Sequence, residues 1–431
     1  MKDYNIKIEP EVSHISERIH FTIENLPPDT LVKINAVSNN YYCINSDIRY
    51  IPDNSLWTSS GEFYTDKNGT LDLSKTAPSS GSYKDADEMG LIYSMTTVRV
   101  KNKSLPQSIK DVPQNRSYTI NFTFTIGSDI FTESIKRYYC TDDVLCKDVD
   151  SKMLKGRFFV KNDTIKHPAV IVLSGSEGRI EKAQSIAQCL SMEGFAALAV
   201  CYFGMDGVSP SLEKIPLEIV ENAIRYLKAE SSVDKNKIGI YGRSKGGEMA
   251  LEAASIFSDI RFIAVTSPSC ITYAGLTEKS LNSKFSSWSY KGKELPCKHF
   301  KFIDTLPMII KMICGRRNAL CSLYQKTLDD FDNNMIHLEK INGPILFISS
   351  DEDEVWPSRK YGQIASSYLQ NYNFQHDFIQ KNYQYAGHMM TLPYQCIGTR
   401  KQISSSPSDF IYGSVNSWKD TVNFFKKCAS E

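Results

Sequence analysis

The sequence predicts an α/β domain with a doubly wound, mostly parallel sheet, preceded by an all-β sandwich. Three observations predict it. Through residue 135 or so, short β-rich runs alternate with turn clusters. From about residue 150 onward, apolar strand-like runs alternate with amphipathic helical stretches. One strand-to-helix junction carries the pattern Gly-X-Ser-X-Gly. Strands alternating with helices are the signature of a parallel sheet covered on both faces. Closely spaced strands and turns without helices read as an antiparallel, immunoglobulin-like sandwich. A chain of 431 residues exceeds one ordinary domain. The expected division is 1–135 for the sandwich and 136–431 for the α/β domain.

In the first domain the runs are RIHFTIENL (18–26), LVKINAVS (31–38), YTDKNGTLDL (64–73) and YTINFTFTI (118–126), with PPDT as the first turn. His14 and His20 stand alone there, and each reads as a surface or packing residue. In the second domain HPAVIVLSG (167–175) is a β-branched, apolar run ending in Gly, as a buried parallel strand should read. EKAQSIAQCLSMEG (181–194) has helical spacing, and FAALAVCYF (195–203) is the next buried strand. PLEIVENAIRYLKAE (216–230) is a helix, KIGIYG (237–242) a strand and GGEMALEAASIF (246–257) a helix. RFIAVTSPS (261–269) and GPILFISS (343–350) are strands, and NSWKDTVNFFKKC (416–428) is a helix with a Trp–Val–Phe face. Residues 270–335 interrupt the alternation with Trp288, Tyr290, YKGKELP (290–296) and MIIKMICG (308–315). An insert at that place is expected to cap the site.

Composition excludes several classes. The chain is 41% hydrophobic and 23% charged, with a formal net charge of +1. That is ordinary globular composition, and it points to no nucleic-acid or membrane partner, though it leaves local basic patches open. The N-terminal stretch lacks the apolar core of a secretory signal. FAALAV and LPMII are far too short to span a bilayer, so a cytoplasmic location is expected. Eleven scattered cysteines with no CxxC read as reduced thiols, Cys189 and Cys201 as small core residues. No metal or other cofactor is expected, and oligomeric state is not readable.

The chemistry centres on Gly242-Arg243-Ser244-Lys245-Gly246, between KIGIYG and GEMALEAA. A serine on a tight strand-to-helix turn is the nucleophile elbow, with small flanking residues that let the turn close. A serine hydroxyl needs a base, and the base an orienting carboxylate, in the chain order Ser, acid, His. Four histidines follow Ser244. His299 and His337 lie in other surroundings, His376 falls in FQHDFIQ, which reads as a strand, and His388 falls in the Gly-flanked loop YQYAGHMM. His388 is the candidate base. The acid should follow GPILFISS, where Asp351, Glu352, Asp353 and Glu354 are consecutive. Spacing leaves Asp351 and Asp353 even. Oxyanion donors are expected from the N–H of Lys245 and, in SGSEG (174–178), from the amide of Ser176.

These residues resemble the family of acyl-CoA thioesterases and bile acid-CoA:amino acid N-acyltransferase. The matching stretches are LPPDTLVKINA (26–36), LWTSSGEFYTDKNGTLDL (56–73), SGSY (80–83), MGLIYSM (89–95), GIYGRSKGGEMAL (239–251), YKGKELP, DEVW (353–356), YQYAGHMMTLPY (383–394) and SWKDTVNFF (417–425). The resemblance implies an α/β-hydrolase domain behind an N-terminal β-sandwich. It selects Asp353, three residues before Trp356, as the acid, and His388, a few residues before Pro393-Tyr394, as the base. It implies an acyl-CoA or other small acyl thioester as substrate. Family hydrolases carry serine at the elbow and the N-acyltransferase carries cysteine, so Ser244 implies hydrolysis. Acyl transfer to an amine or alcohol, a carboxylesterase or dienelactone-type hydrolase, and a binding protein that has lost activity are the rival readings. The chain departs from the family at SGSEGR (174–179), where Glu177 stands in a stretch usually richer in glycine. Its last residues, KKCASE, differ from the Ser-Lys-Leu peroxisomal signal of some relatives.

Overall fold

Alternation of inward apolar and outward polar side chains builds the first of two units in a computed structural model of the chain. The structure describes residues 4–39, 41, 43–45, 56–98, 105–330, 332–396 and 407–431. The first unit takes 1–105, 115–141 and 392–415; the second takes 106–114, 142–391 and 416–431.

The first unit contains β1 (Asn5–Glu9), β2 (Val12–His14), β3 (His20–Glu24), β4 (Leu31–Asn39), β5 (Leu56–Tyr64), β6 (Leu71–Asp72), β7 (Ser80–Gly81), the short helix α1 (Gly90–Tyr93), β8 (Thr96–Val98), β9 (Ser117–Ile126) and β10 (Asp129–Tyr138). One sheet has the order β1-β3-β6 and the other β2-β10-β9-β4-β5-β7, with β8 also on β5. Every pairing is antiparallel except β2 with β10. Ile34 lies opposite Phe124, and Val32 opposite Ile126, so one face of β4 and β9 is apolar. Phe21 of β3 meets Phe122 of β9 edge-on at 5.0 Å, which closes the two sheets face to face as a sandwich. Residues 135 and 136 lie within β10, and the division between units falls at 141/142.

The second unit contains β11 (Val144–Asp150), β12 (Lys155–Lys161), β13 (His167–Leu173), α2 (Glu181–Met192), β14 (Ala196–Cys201), β15 (Ile215–Pro216), α3 (Glu218–Ala229), β16 (Val233–Arg243), α4 (Lys245–Ile256) and β17 (Ile260–Thr266). There follow β18 (Trp288–Tyr290), β19 (Lys293–Glu294), α5 (Phe302–Ile313), α6 (Ala319–Gln325), β20 (Ile345–Ser350), α7 (Ser358–Asn371), β21 (Phe378–Tyr383) and the end of α8 (Pro407–Ser430). The main sheet runs β11-β12-β14-β13-β16-β17-β20-β21. β12 is antiparallel to both neighbours, and all strands from β14 onward are parallel. This is an α/β-hydrolase sheet. Strand order reverses around β13, and in open α/β sheets the carboxyl ends near such a reversal are where ligands bind.

Helix patterning follows burial. In α3, Val220, Ala223, Ile224 and Leu227 share the buried face, and Glu218 and Glu221 occupy the first turn, where the helix dipole favours acids. In α8, Trp418, Val422 and Phe425 are buried, and Phe425 packs on Phe195 and Phe262. YKGKELP is a hairpin of β18 and β19, with Lys291 and Gly292 both left-handed at φ 50° and 73°, the two-residue turn that suits strand twist. One expectation needs correction. The strand assigned to FQHDFIQ begins only at Phe378, because Asn373 turns left-handed (φ 52°) and residues 375–376 bend, leaving His376 exposed before the strand. All eleven cysteines are described, and none is in a disulfide. Among the described residues no helix is long and apolar enough to cross a membrane.

Candidate active site

The junction of β16 and α4 forces Ser244 into a strained conformation, φ 54° and ψ −124°. For a residue with a Cβ such backbone costs about 1–3 kcal/mol, and surrounding contacts must hold it. They do: the Ser244 N–H donates to the Thr266 carbonyl at 2.9 Å, and the Ser244 carbonyl accepts from Gly247 and Glu248 N–H at 2.9 and 3.1 Å. The flanking glycines are steric necessities. A Cβ on Gly242 would sit 2.2 Å from the Gly246 carbonyl oxygen, and one on Gly246 would sit 1.9 Å from that of Ser174.

Ser244 Oγ lies 2.9 Å from His388 Nε2, and His388 Nδ1 lies 2.8 Å from Asp353 Oδ1. All three side chains are buried. A carboxylate can only accept, so Nδ1 carries the proton and Nε2 is left to accept from the serine hydroxyl. Asp353 Oδ1 also accepts from the N–H groups of Val355 (3.0 Å) and Trp356 (2.8 Å), which fixes the carboxylate on its turn. The loop of His388 is pinned twice: its own N–H donates to Glu354 Oε2 at 3.0 Å, and the Gly387 N–H to Ser350 Oγ at 3.1 Å. The Trp356 ring stands edge-on to the imidazole at 5.9 Å. Asp351 is turned elsewhere, pairing with Arg359 at 2.7 Å and accepting from Asn382 at 3.0 Å. The Glu352 N–H donates to Ser350 Oγ. Of the other histidines, His299 meets Cys297, His337 meets Glu339 and His376 packs on Phe374, all in exposed settings.

Lys245 opens α4, where first-turn N–H groups have no intrahelical partner. Ser176 is exposed on the turn Gly175–Gly178 after β13, closed by Gly178 N–H to the Gly175 carbonyl at 3.2 Å. The Tyr202 hydroxyl lies 2.7 Å from the Ser174 carbonyl oxygen and 2.8 Å from that of Gly175. Glu177 forms an ion pair with buried Arg243, the residue before Ser244, and accepts from the Gly175 N–H at 3.2 Å. Burial works against the Glu177 carboxylate, yet Arg243 and Lys182 outweigh it and hold its pKa at about 2. Arg243 also reaches Met389 Sδ at 3.1 Å.

Sequence reasoning missed a second buried cluster on the inner side of α4. The Lys245 ammonium donates to Glu248 (2.9 and 3.0 Å), to Ser287 Oγ (2.9 Å) and to the Tyr273 carbonyl (3.4 Å). Glu248 also accepts from the Trp288 indole at 2.8 Å and the Tyr273 N–H at 3.1 Å. Burial lowers the Lys245 pKa and raises that of Glu248, against their mutual attraction. Lys and Glu three apart at a helix start are the only local signal; Tyr273, Ser287 and Trp288 are brought there by the insert. The insert also supplies an aromatic wall: Tyr273, Phe300 and Tyr324 pack together, and Tyr324 lies 5.6 Å from Trp356. Among the described residues no group of His, Cys, Asp and Glu could hold a metal ion.

Comparison with known proteins agrees over both units. The family model described as "Acyl-CoA thioester hydrolase/BAAT N-terminal region" matches residues 16–151, and "BAAT / Acyl-CoA thioester hydrolase C terminal" matches 215–431. Acyl-coenzyme A amino acid N-acyltransferase 1 of Mus musculus is 22% identical over 97% of this chain and 96% of that protein. Acyl-coenzyme A thioesterase 1 of Mus musculus is 23% identical over 86% of this chain and 87% of that protein. Among solved structures, a dienelactone hydrolase-like promiscuous phosphotriesterase from metagenomic libraries is 15% identical, with a TM-score of 0.41, over 66% of this chain and 99% of that one.

Proposed function

The chain belongs to the acyl-CoA thioester hydrolase/BAAT family, and from that premise we propose that it is a serine hydrolase cleaving acyl-CoA or a related acyl thioester to free acid and thiol. The observation that carries the reading is the hydrogen-bonded series Ser244–His388–Asp353, with serine rather than cysteine at the elbow.

The steps follow from the proton positions. Ser244 Oγ attacks the thioester carbonyl carbon as His388 Nε2 takes its proton. Asp353 stabilises the resulting imidazolium and keeps its ring oriented. The negative oxygen of the tetrahedral intermediate is received by the amides of Lys245 and Ser176. The C–S bond breaks, the proton on Nε2 passes to the departing thiolate, and an acyl ester remains on Ser244. Water, deprotonated by His388, then attacks that ester, and the carboxylic acid leaves with the serine restored.

The test is thiol release from a panel of acyl-CoA chain lengths, measured for the wild type and for Ser244→Ala. Loss of the serine should lower kcat on the order of 10⁴–10⁶-fold if the three residues act as a unit. A Ser244→Ala protein keeping more than about a tenth of wild-type turnover would refute the assignment. Ester substrates run beside the thioesters decide against a carboxylesterase. Failure of Ser244 to react with a fluorophosphonate probe would point to an inactive binding protein.

A second reading, transfer of the acyl group to an amine, is favoured by one observation. The relatives named amino acid N-acyltransferase match this chain as well as the thioesterases do. An acyl-serine ester is typically cleared by water, which supports hydrolysis. Product analysis with and without an amino acid acceptor separates the two.

A further inference from the structure

The amphipathic helix α5 is turned inside out. Seven of the sixteen exposed large apolar side chains among the described residues lie on this one twelve-residue helix. At 100° per residue, Phe302, Ile303, Leu306, Ile309, Ile310 and Ile313 fall within an arc of about 120°, a continuous stripe of the width that normally faces a core. Here it faces solvent, with Phe302 and Ile313 each 81% exposed. The one buried side chain of the helix is Met308, on the other side. A contiguous exposed apolar face of this kind marks an interaction surface.

The charges around it identify what it meets. Residues 298–326 carry Lys298, Lys301, Lys311, Arg316, Arg317 and Lys326 against Asp304 alone, six positive charges less one negative, or +5, in a chain whose total is +1. Lys298 pairs with Asp330 and Lys326 with Asp304. Lys301, Lys311, Arg316 and Arg317 have no ion-pair partner among the described residues. Lys301 is the N-cap of α5, where a cation opposes the helix dipole, so its placement does nothing for the helix. On the same wheel Lys301 and Lys311 lie about 140° from the middle of the stripe, so the helix sets an apolar face against a basic one, the pattern of a helix that lies on an anionic lipid surface. Twelve residues are too few to span a bilayer, so the helix would lie in the plane of the interface.

The location fits a hydrolase of amphipathic thioesters. After Gly315 the chain turns back into α6, where the Cys321 N–H donates to the Glu354 carbonyl at 3.3 Å and Tyr324 packs on Trp356. Trp356 in turn packs on His388.

We propose that α5, with Lys301, Lys311, Arg316 and Arg317, docks this protein on an anionic lipid surface beside its active site. The docking does not depend on the thioesterase reading; only its use, meeting an acyl chain as it leaves the lipid, rests on it. The full-length protein should co-sediment with phosphatidylcholine vesicles containing phosphatidylserine, and added salt should weaken the binding. Pure phosphatidylcholine should bind it at least tenfold more weakly, roughly what four cations supply even after heavy screening. The pair Arg316→Ala and Arg317→Ala should weaken binding about fivefold per cation. Ile310→Asp with Ile313→Asp should abolish it without changing thermal melting, since both side chains are in solvent. Ser244→Ala should bind like the wild type, which keeps failure of the catalytic reading separate from failure of this one. Three results overturn the proposal: no binding to the anionic vesicles, equal binding to both kinds, or a dimer in solution that Ile310→Asp dissociates.

Discussion

Glu177 reaches from the turn after β13 to the guanidinium of Arg243, the residue directly before Ser244, and its side chain is only 18% exposed. The turn that carries Ser176 is thereby tied to the elbow that carries the candidate nucleophile. Gly175 is small because the pair passes over it: a Cβ there would lie 2.9 Å from an Arg243 nitrogen and 2.9 Å from a Glu177 oxygen. Glu177 therefore has a structural task of its own.

Glu177→Gln should act on both kinetics and acid stability. If the pair aligns the Ser176 amide with the oxyanion, kcat should fall on the order of 10²-fold with KM nearly unchanged. The Glu177 carboxylate is held at about 2, against an ordinary 4.5. A depressed acid contributes fully above its unfolded value and loses its contribution as pH falls through the folded value. The wild type should thus lose up to about 3 kcal/mol between pH 4.5 and 2, and the Gln variant should not. Parallel acid limbs in melting temperature against pH would remove the electrostatic argument.

Asp353 and Asp351 are two residues apart and should behave oppositely. Asp353→Asn removes the negative charge that holds the Nδ1–H tautomer and stabilises the imidazolium, and kcat should drop on the order of 10⁴-fold. Asp351→Asn removes a surface pair with Arg359 and should change turnover less than about fivefold. Steady-state rates on one acyl-CoA decide, and the reverse ranking would exchange the two roles.

Trp288→Phe removes the indole donor from Glu248 while keeping an aromatic ring in the same place. The buried carboxylate keeps Lys245 and the Tyr273 N–H but loses one bond. Stability should fall by about 1–3 kcal/mol, read as a lower urea midpoint at unchanged slope. An unmoved midpoint would mean that this bond contributes nothing net.

The parallel sheet was legible because β13, β14 and β20 are buried on both faces and therefore read as unbroken apolar runs. The elbow was legible because steric closure at Gly242 and Gly246 permits almost no other residue. His388 was legible from its loop, after a strand and next to glycine. The acid was not legible from spacing, because Asp351 through Glu354 are one charged run; the resemblance singled out Asp353, and the carboxylate that faces His388 depends on how the turn to Trp356 closes. His376 was misread because FQHDFIQ has strand composition throughout, while the turn at Asn373 delays the strand to Phe378.

From residue order alone follow the two kinds of sheet and the candidate nucleophile and base, since each rests on local sterics or on a repeat that neighbouring residues share. Tertiary structure alone decided that Glu177 grips Arg243, that the Lys245 ammonium turns inward onto Glu248, and that the apolar stripe of α5 looks outward. Periodicity reveals that a stripe exists. Its direction depends on what lies opposite, and that is set by segments far away in the chain.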